Sequence, residues 1–364
     1  MKVDELCEYA PKSSIKAGDA TKDGQYMFFT SSKDETKRYS EYQFDGEGII
    51  MGTGGNATLH YYNGKFAVST DCIVLLPDER VRCKYLYYFF LANMKLLEAG
   101  FKGAGLKHTN KKYIGNIEIN NICSLSEQDK IVRVLEKIEA IIQRRCDELT
   151  ILDMLIKARF VEMFGGDNND WSRVSIDDIC NGTRTGPFGS MLHHDEFVED
   201  GVFVLGIDNA VGNRFSYNKM RYITEEKYQQ LKHYTVNPGD VIITIMGTVG
   251  RSAVIPDDIP LAINTKHLAC LTPDSSKVES VFLCSAFQMH PEIQRQLKAS
   301  AKGAIMDGLN LGIIKALRFQ LPPLSLQKEF ILFAKQVDKS KAAVQKALDE
   351  TQLLFDSLMQ EYFG

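Results

Sequence analysis

No apolar run in this 364-residue chain approaches the roughly 20 residues that a membrane-spanning helix needs. The opening stretch MKVDELCEYAPKSS has no apolar core of a signal peptide, so a cytoplasmic location is expected. None of the eight cysteines (Cys7, Cys72, Cys83, Cys123, Cys146, Cys180, Cys270 and Cys284) forms a CxxC pair, and most are flanked by apolar residues. Such spacing reads as reduced thiols, not as a disulfide framework or a zinc site. The phosphate-loop pattern GxxxxGK(S/T), the GxSxG elbow of serine hydrolases and the signatures of a methyltransferase are all missing. These absences argue against chemistry housed in the chain itself. An excess of positive charge is missing too. The formal net charge is −4, whereas a free-standing nucleic-acid binder is usually basic. Local basic patches, or a partner supplying most phosphate contacts, remain compatible with that balance.

What the chain does contain is an internal repeat. VDELC at 3–7 is answered by IDDIC at 176–180, and MGTGG at 51–55 by MGTVG at 246–250. AVSTDCIVLLPD at 67–78 matches AINTKHLACLTPD at 262–274, and SLSEQDKI at 124–131 matches PLSLQKEF at 323–330. LIKARFVEMFG at 155–165 matches LFDSLMQEYFG at 354–364, and from Gln128 and Gln327 onward the offset stays at 199 without a gap. Each half opens with a variable region of short strands and turns, in which β-branched and aromatic runs alternate with Gly, Asn and Asp. Each half then closes on one long amphipathic segment.

In the first of these segments Ile131, Leu135, Ile138, Ile142, Leu149, Leu152 and Ile156 recur at helical spacing. In the second, Phe330, Val337, Val344, Leu348 and Phe355 do the same. Ser126 and Ser325 are read as helix starts, with a partial capping-box match. A helix over 126–163 would be about 57 Å long, too long for one small domain. Its exposed stripe needs a partner, and the simplest is its own copy in an antiparallel coiled coil. Such a pair would hold two recognition surfaces at fixed separation, as a reader of two DNA segments requires. A pair of adaptor domains with packed helices fits the pattern as well. The aromatic helix ends, Phe160 and Phe164 in one and Tyr362 and Phe363 in the other, are expected to dock on the domain of the opposite half.

TGPFGSML at 185–192, GDVIITIMGTVGRSAVIP at 239–256, LPPLSLQKEF at 321–330 and the stretch 26–76 together resemble the specificity subunits of type I restriction–modification systems. The resemblance covers nearly the whole chain. It implies an α+β fold with two similar target-recognition domains, separated by a pair of long helices in an antiparallel coiled coil, with a pseudo-two-fold internal repeat. The expected divisions are 1–123 for the first target-recognition domain, 124–165 for the first spacer helix, 166–323 for the second domain and 324–364 for the second spacer helix. It also implies a non-catalytic, DNA-binding role: reading a bipartite target in double-stranded DNA and directing two modification (methyltransferase) subunits, and restriction (endonuclease/translocase) subunits, to it. No cofactor is expected in this chain; S-adenosylmethionine, ATP and Mg would belong to the partner subunits. The alternative is a scaffold or decoy that binds modification subunits without reading DNA. Two departures stand out. Trp171 has no counterpart before Val3, and Leu326 stands where the family usually has glutamate, which Glu127 keeps.

Sequence-specific reading needs donors and acceptors presented to base edges. The candidates in the first domain are Ser31, Ser32, Lys33, Thr53, Asn56, Lys107, His108 and Thr109. Those in the second are Arg184, Ser190, His193, His194, Asn209, Arg214, Thr248, Arg251 and Lys266. All lie in polar turns beside apolar strands. The MGT(G/V)G segments read as tight glycine turns, either beside a DNA-facing surface or purely structural. His193 and His194 have no cysteine nearby to complete a metal set, and adjacent side chains on a strand point apart.

Overall fold

The computed structural model describes residues 1–103, 105–120, 122–168, 170–301 and 309–364, with the side chains of Ser190 and Ala301 also left aside. The chain divides into two compact units. The first comprises Met1–Asp147 with Val344–Gly364, and the second Glu148–Ala343.

The first unit is built on a six-stranded sheet. Its order is Cys7–Tyr9, Cys72–Pro77, Phe44–Gly52, Leu59–Val68, Tyr26–Phe29 and Arg38–Tyr39. The central hairpin pairs Phe44 with Phe66 and Met51 with Leu59. Side chains alternate across a strand, and both faces of this sheet are apolar. Ile49, Met51, Ile73 and Leu75 pack under helix Cys83–Ala92 and the ends of the long helices. Ile50, Phe66, Val68, Cys72 and Val74 form a second cluster with Phe29 on the other face. In the second unit, strands Ser252–Val254, Val241–Thr244, Leu268–Pro273 and Cys180–Thr185 form a four-stranded sheet with the same division of faces. Val241, Ile243, Ala269 and Leu271 point one way, and Ile242, Leu268 and Cys270 the other.

The amphipathic segments fold as helices Leu125–Phe164 and Leu324–Phe363. They pack together and run antiparallel. In the second unit Arg159 meets Glu329 at 3.1 Å while Asp153 pairs with Lys341 further along. In the first unit Ile131, Leu135 and Ile138 share one core with Phe355, Met359 and Phe363. Of the expected stripe, Ile131, Leu135, Ile138, Phe330, Val337, Val344 and Phe355 are buried. Ile142, Leu149, Leu152, Ile156 and Leu348 are half-buried. Two helices alone cover only a seam on each other, so stripe positions away from the sheet domains keep one flank open.

The helix ends dock as expected from their aromatics. Phe160 and Phe164 enter the core of the second unit, with ring centroids 5.7 and 5.0 Å from Phe282. Phe363 lies 5.1 Å from Tyr85 in the first unit, and Asn93 donates to its carbonyl at 3.0 Å.

The helix starts differ from the expectation. Ser126 and Ser325 sit inside the first turn; in the first helix Ser124 takes the N–H of Glu127 on its hydroxyl at 3.4 Å. The glutamines of the repeat serve another purpose. Gln128 and Gln327 are both fully buried. The Gln128 side-chain oxygen accepts from the N–H of Arg82 at 2.8 Å, and its amide donates to the carbonyls of Cys123 and Arg80 at 2.9 and 3.3 Å. Gln327 repeats the arrangement with the N–H of Glu279 at 2.9 Å and the carbonyls of Pro322 and Lys277 at 2.8 and 3.1 Å. Arg82 and Glu279 each precede a helix of their own unit, Cys83–Ala92 and Ser280–Met289. Each amide thus latches the start of a long helix to the start of a domain helix. Gln128→Ala and Gln327→Ala are each expected to cost about 2–3 kcal/mol, because buried backbone groups lose their partners. Urea unfolding with hydrogen-exchange readout should locate each loss in its own unit.

Candidate nucleic-acid interface

Both MGTxG segments form the connection of an antiparallel hairpin. The first starts on the last two residues of strand Phe44–Gly52 and leads toward Leu59–Val68, and the second lies between Val241–Thr244 and Ser252–Val254. The last glycine of each, Gly55 and Gly250, has φ +82°, a backbone state that other residues adopt only with strain. Gly52 is required for a different reason: a Cβ there would stand 2.8 Å from the Cα of Ser31. The two copies share this backbone state at their last glycine but not at their first, where Gly247 has φ +72° and Gly52 ends a strand.

In the first unit three connections meet around this turn. The Ser31 hydroxyl donates to the carbonyl of Asp71 at 2.6 Å and accepts from the N–H groups of Thr53 and Gly54 at 3.1 and 3.4 Å. The Thr53 hydroxyl donates to the same Asp71 carbonyl at 2.9 Å. Gly55 donates to the carbonyl of Lys107 at 2.9 Å and Thr109 to that of Thr53 at 3.0 Å. Ser31, Thr53 and Lys107–Thr109, far apart in sequence, thus stand on one surface. Asn56, Lys107, His108 and Lys33 are exposed there. Thr109 is buried, and the hydroxyl of Ser32 is bonded to Thr30 at 3.0 Å and Lys37 at 3.3 Å. Beside the turn a cleft of about 230 Å³ is lined by Lys12, Thr53, Thr109 and Lys111 among others.

The second unit gathers fewer of its candidates. Thr248 and Arg251 are exposed on the hairpin connection, next to a cleft of about 340 Å³ that Arg251 shares with Lys298. The N–H of Ile245 donates to the carbonyl of His267 at 2.9 Å, bringing the Lys266–His267 turn alongside. Burial first, then the charges of Lys266 and Arg221, hold the His267 imidazole below its ordinary pKa. Arg221, of which its sequence context gave no sign, thus lies near this turn, where it is paired with Asp208 at 2.7 Å. His193 and His194 are exposed on a separate turn, where the His193 N–H is capped by Glu196 at 2.6 Å. The Ser190 side chain lies outside the described residues.

Two candidates, Arg184 and Asn209, are committed inside the second unit, and a third, Arg214, is ion-paired on its surface. Arg184 donates to Asp240 at 2.6 Å, to the Thr235 carbonyl at 2.7 Å and to Thr272 at 3.0 Å. Asn209 is fully buried, accepting from the Gly206 N–H at 2.8 Å and donating to the Ser216 carbonyl at 2.7 Å. Arg214 reaches Asp338 of the second long helix at 2.5 Å. Asn209 and the terminal nitrogens of Arg184 are spent on the protein's own acceptors, whereas Arg214 stays largely exposed beside Asp338.

Comparison with known proteins accords with this arrangement. The family model described as Type I restriction modification DNA specificity domain matches residues 1–150 and 168–351. The chain belongs to that family. It is 21% identical over 352 residues to the type I restriction enzyme EcoBI specificity subunit of Escherichia coli, covering 87% of this chain and 73% of the relative. It is likewise 21% identical over 327 residues to the MjaVIII specificity subunit of Methanocaldococcus jannaschii, covering 82% and 75%. The crystal structure of a type I restriction–modification S subunit from M. genitalium superposes with a TM-score of 0.64 at 16% identity, covering 100% of this chain and 95% of that one. Two sheet-rich domains flanking two long helices that pack together are the architecture of such subunits. This chain is a specificity subunit, a DNA-recognition component without catalysis of its own.

Proposed function

We propose that each unit reads one part of a split DNA target through the surface around its MGTxG hairpin connection. The recognition domains span 1–123 and 166–323, and the helices of 124–165 and 324–364 separate them. The observation that carries this reading is the convergence of three polar connections on the glycine turn of the first unit, with Lys33, Asn56, Lys107 and His108 left exposed around it. In the second unit Thr248, Arg251, Lys266, His193 and His194 are the side chains free to face DNA. Lysine and arginine there contact phosphates, while the amide, hydroxyl and imidazole groups read base edges.

The chain works in the cytoplasm with modification subunits, which supply S-adenosylmethionine chemistry, and with restriction subunits, which supply ATP-driven cleavage. No helix among the described residues is long and apolar enough to cross a membrane. Methylome sequencing of cells with and without the gene tests the proposal. The expected result is a split adenine-methylated motif that disappears with the gene. Association with modification subunits but no motif would instead make the chain a scaffold or decoy.

A further inference from the structure

A buried polar side chain sits within the apolar centre of one sheet face in the first unit. Along strand Leu59–Val68 the residues Tyr62, Phe66 and Val68 join Phe29, Ile50 and Val74 on one face. His60 has the same strand parity and is only 5% exposed. Its ring lies 5.2 Å from that of Phe29. An apolar side chain would cover Phe29 here without the cost of dehydrating an imidazole. The ring is instead fully engaged. Nε2 lies 2.9 Å from the Ser32 carbonyl, and Nδ1 lies 2.9 Å from the Glu35 carboxylate. The carbonyl can only accept, so Nε2 carries a proton and donates it.

Both partners belong to the connection that leaves strand Tyr26–Phe29 and carries Lys33. The same connection is tied at its base by Lys37, which donates to the Thr30 hydroxyl at 2.8 Å. On its other side Ser31 is bonded to the glycine turn. The span from Lys33 to Thr36 is exposed, and Lys33 makes no ion pair among the described residues. The His60 bonds therefore fix the exposed part of the loop from beneath, at one residue on either side of Lys33 and Asp34.

We propose that His60 and Glu35 are positioning residues for DNA recognition: together they set the conformation of the Lys33 loop and so determine base preference in one half of the target without touching DNA. The inference rests on the reading of this surface as a DNA-reading face. A side chain reads a base edge only when held in the hydrogen-bonding plane, so a loop released from its buried anchor keeps its charge and phosphate attraction but loses discrimination.

The test uses the full chain produced with its modification subunits in cells, followed by methylome sequencing. Glu35 is largely exposed, so Glu35→Ala leaves the fold intact. It is expected to broaden one or two positions in one half of the motif, lowering discrimination roughly tenfold, while the other half stays as in the parent protein. Glu35→Gln keeps a partner for Nδ1, because its side-chain oxygen can accept and its amide nitrogen can donate, and is expected to restore the parental motif. His60→Leu should broaden the same positions as Glu35→Ala. A purely structural role would lower methylation of the unchanged motif, and that result would overturn the proposal, as would equal broadening in both halves. Should His60→Leu fail to fold, the two Glu35 variants decide. If the parent chain directs no motif at all, the DNA-reading assignment fails and takes this inference with it. A parental motif untouched by Glu35→Ala sinks the inference alone.

Discussion

Asp240→Ala is expected to destabilise the second unit by about 3–5 kcal/mol, the range found when one partner of a buried ion pair is removed. Asp240 is 1% exposed, and its carboxylate serves four donors. Arg184 reaches it at 2.6 Å, the Thr272 hydroxyl at 2.7 Å, the Asn237 N–H at 3.0 Å and the Cys270 thiol at 3.3 Å. Burial, and next the Asp240 charge, push the Cys270 thiol well above its ordinary pKa, so the thiol stays protonated and able to donate. With alanine at 240, a guanidinium and a hydroxyl lose their acceptor in a place water reaches poorly. Asp240→Asn retains an acceptor but not the charge, and its loss should be smaller. Urea unfolding of the two variants measures the difference, with hydrogen exchange in strands Val241–Thr244 and Leu268–Pro273 as the local probe.

Phe160→Ala should cost a similar amount, about 3–5 kcal/mol, through loss of apolar contact and the cavity left behind. The ring is fully buried. It stands 5.0 Å from Phe164, 5.1 Å from Phe330 and 5.7 Å from Phe282, a set of edge and stacked contacts worth more than their area alone. The residue comes from the first long helix, yet the core that it fills belongs to the second unit. The loss should therefore appear as faster hydrogen exchange in helix Ser280–Met289 and strand Arg318–Gln320, while the sheet of the first unit keeps its protection. Equal loosening of both sheets would contradict the division of the core into two units.

The features legible in the sequence were those written in local periodicity. Ile131, Leu135 and Ile138 announce a buried helix stripe by spacing alone, and they are buried. Gly55 and Gly250, which close MGTGG and MGTVG, mark turns because few other residues tolerate that backbone, and both lie in hairpin connections. Polar residues were far less legible, since a side chain's type does not reveal whether a distant partner consumes it. Arg184 looks like a phosphate contact until Asp240, 56 residues away, is seen beside it. Asn209 looks like a base reader until its amide is found holding Gly206 and Ser216. Gln128 stood out only as a matched position of the repeat, but its oxygen serves the N–H of Arg82, 46 residues earlier. His60 stood in a strand-like run with no motif around it, and only the sheet's two-sided burial makes it conspicuous.

The first unit joins Met1–Asp147 to the distant segment Val344–Gly364, with Phe355, Met359 and Phe363 in its core. During synthesis this unit cannot close when its amino-terminal portion leaves the ribosome, although domains generally fold in that order. Its sheet must wait, one apolar side uncovered, until Val344–Gly364 has been made. Loss of Val344–Gly364 would therefore leave the unit of Met1–Asp147 incomplete, and quality control would meet the defect far in sequence from the segment that was lost.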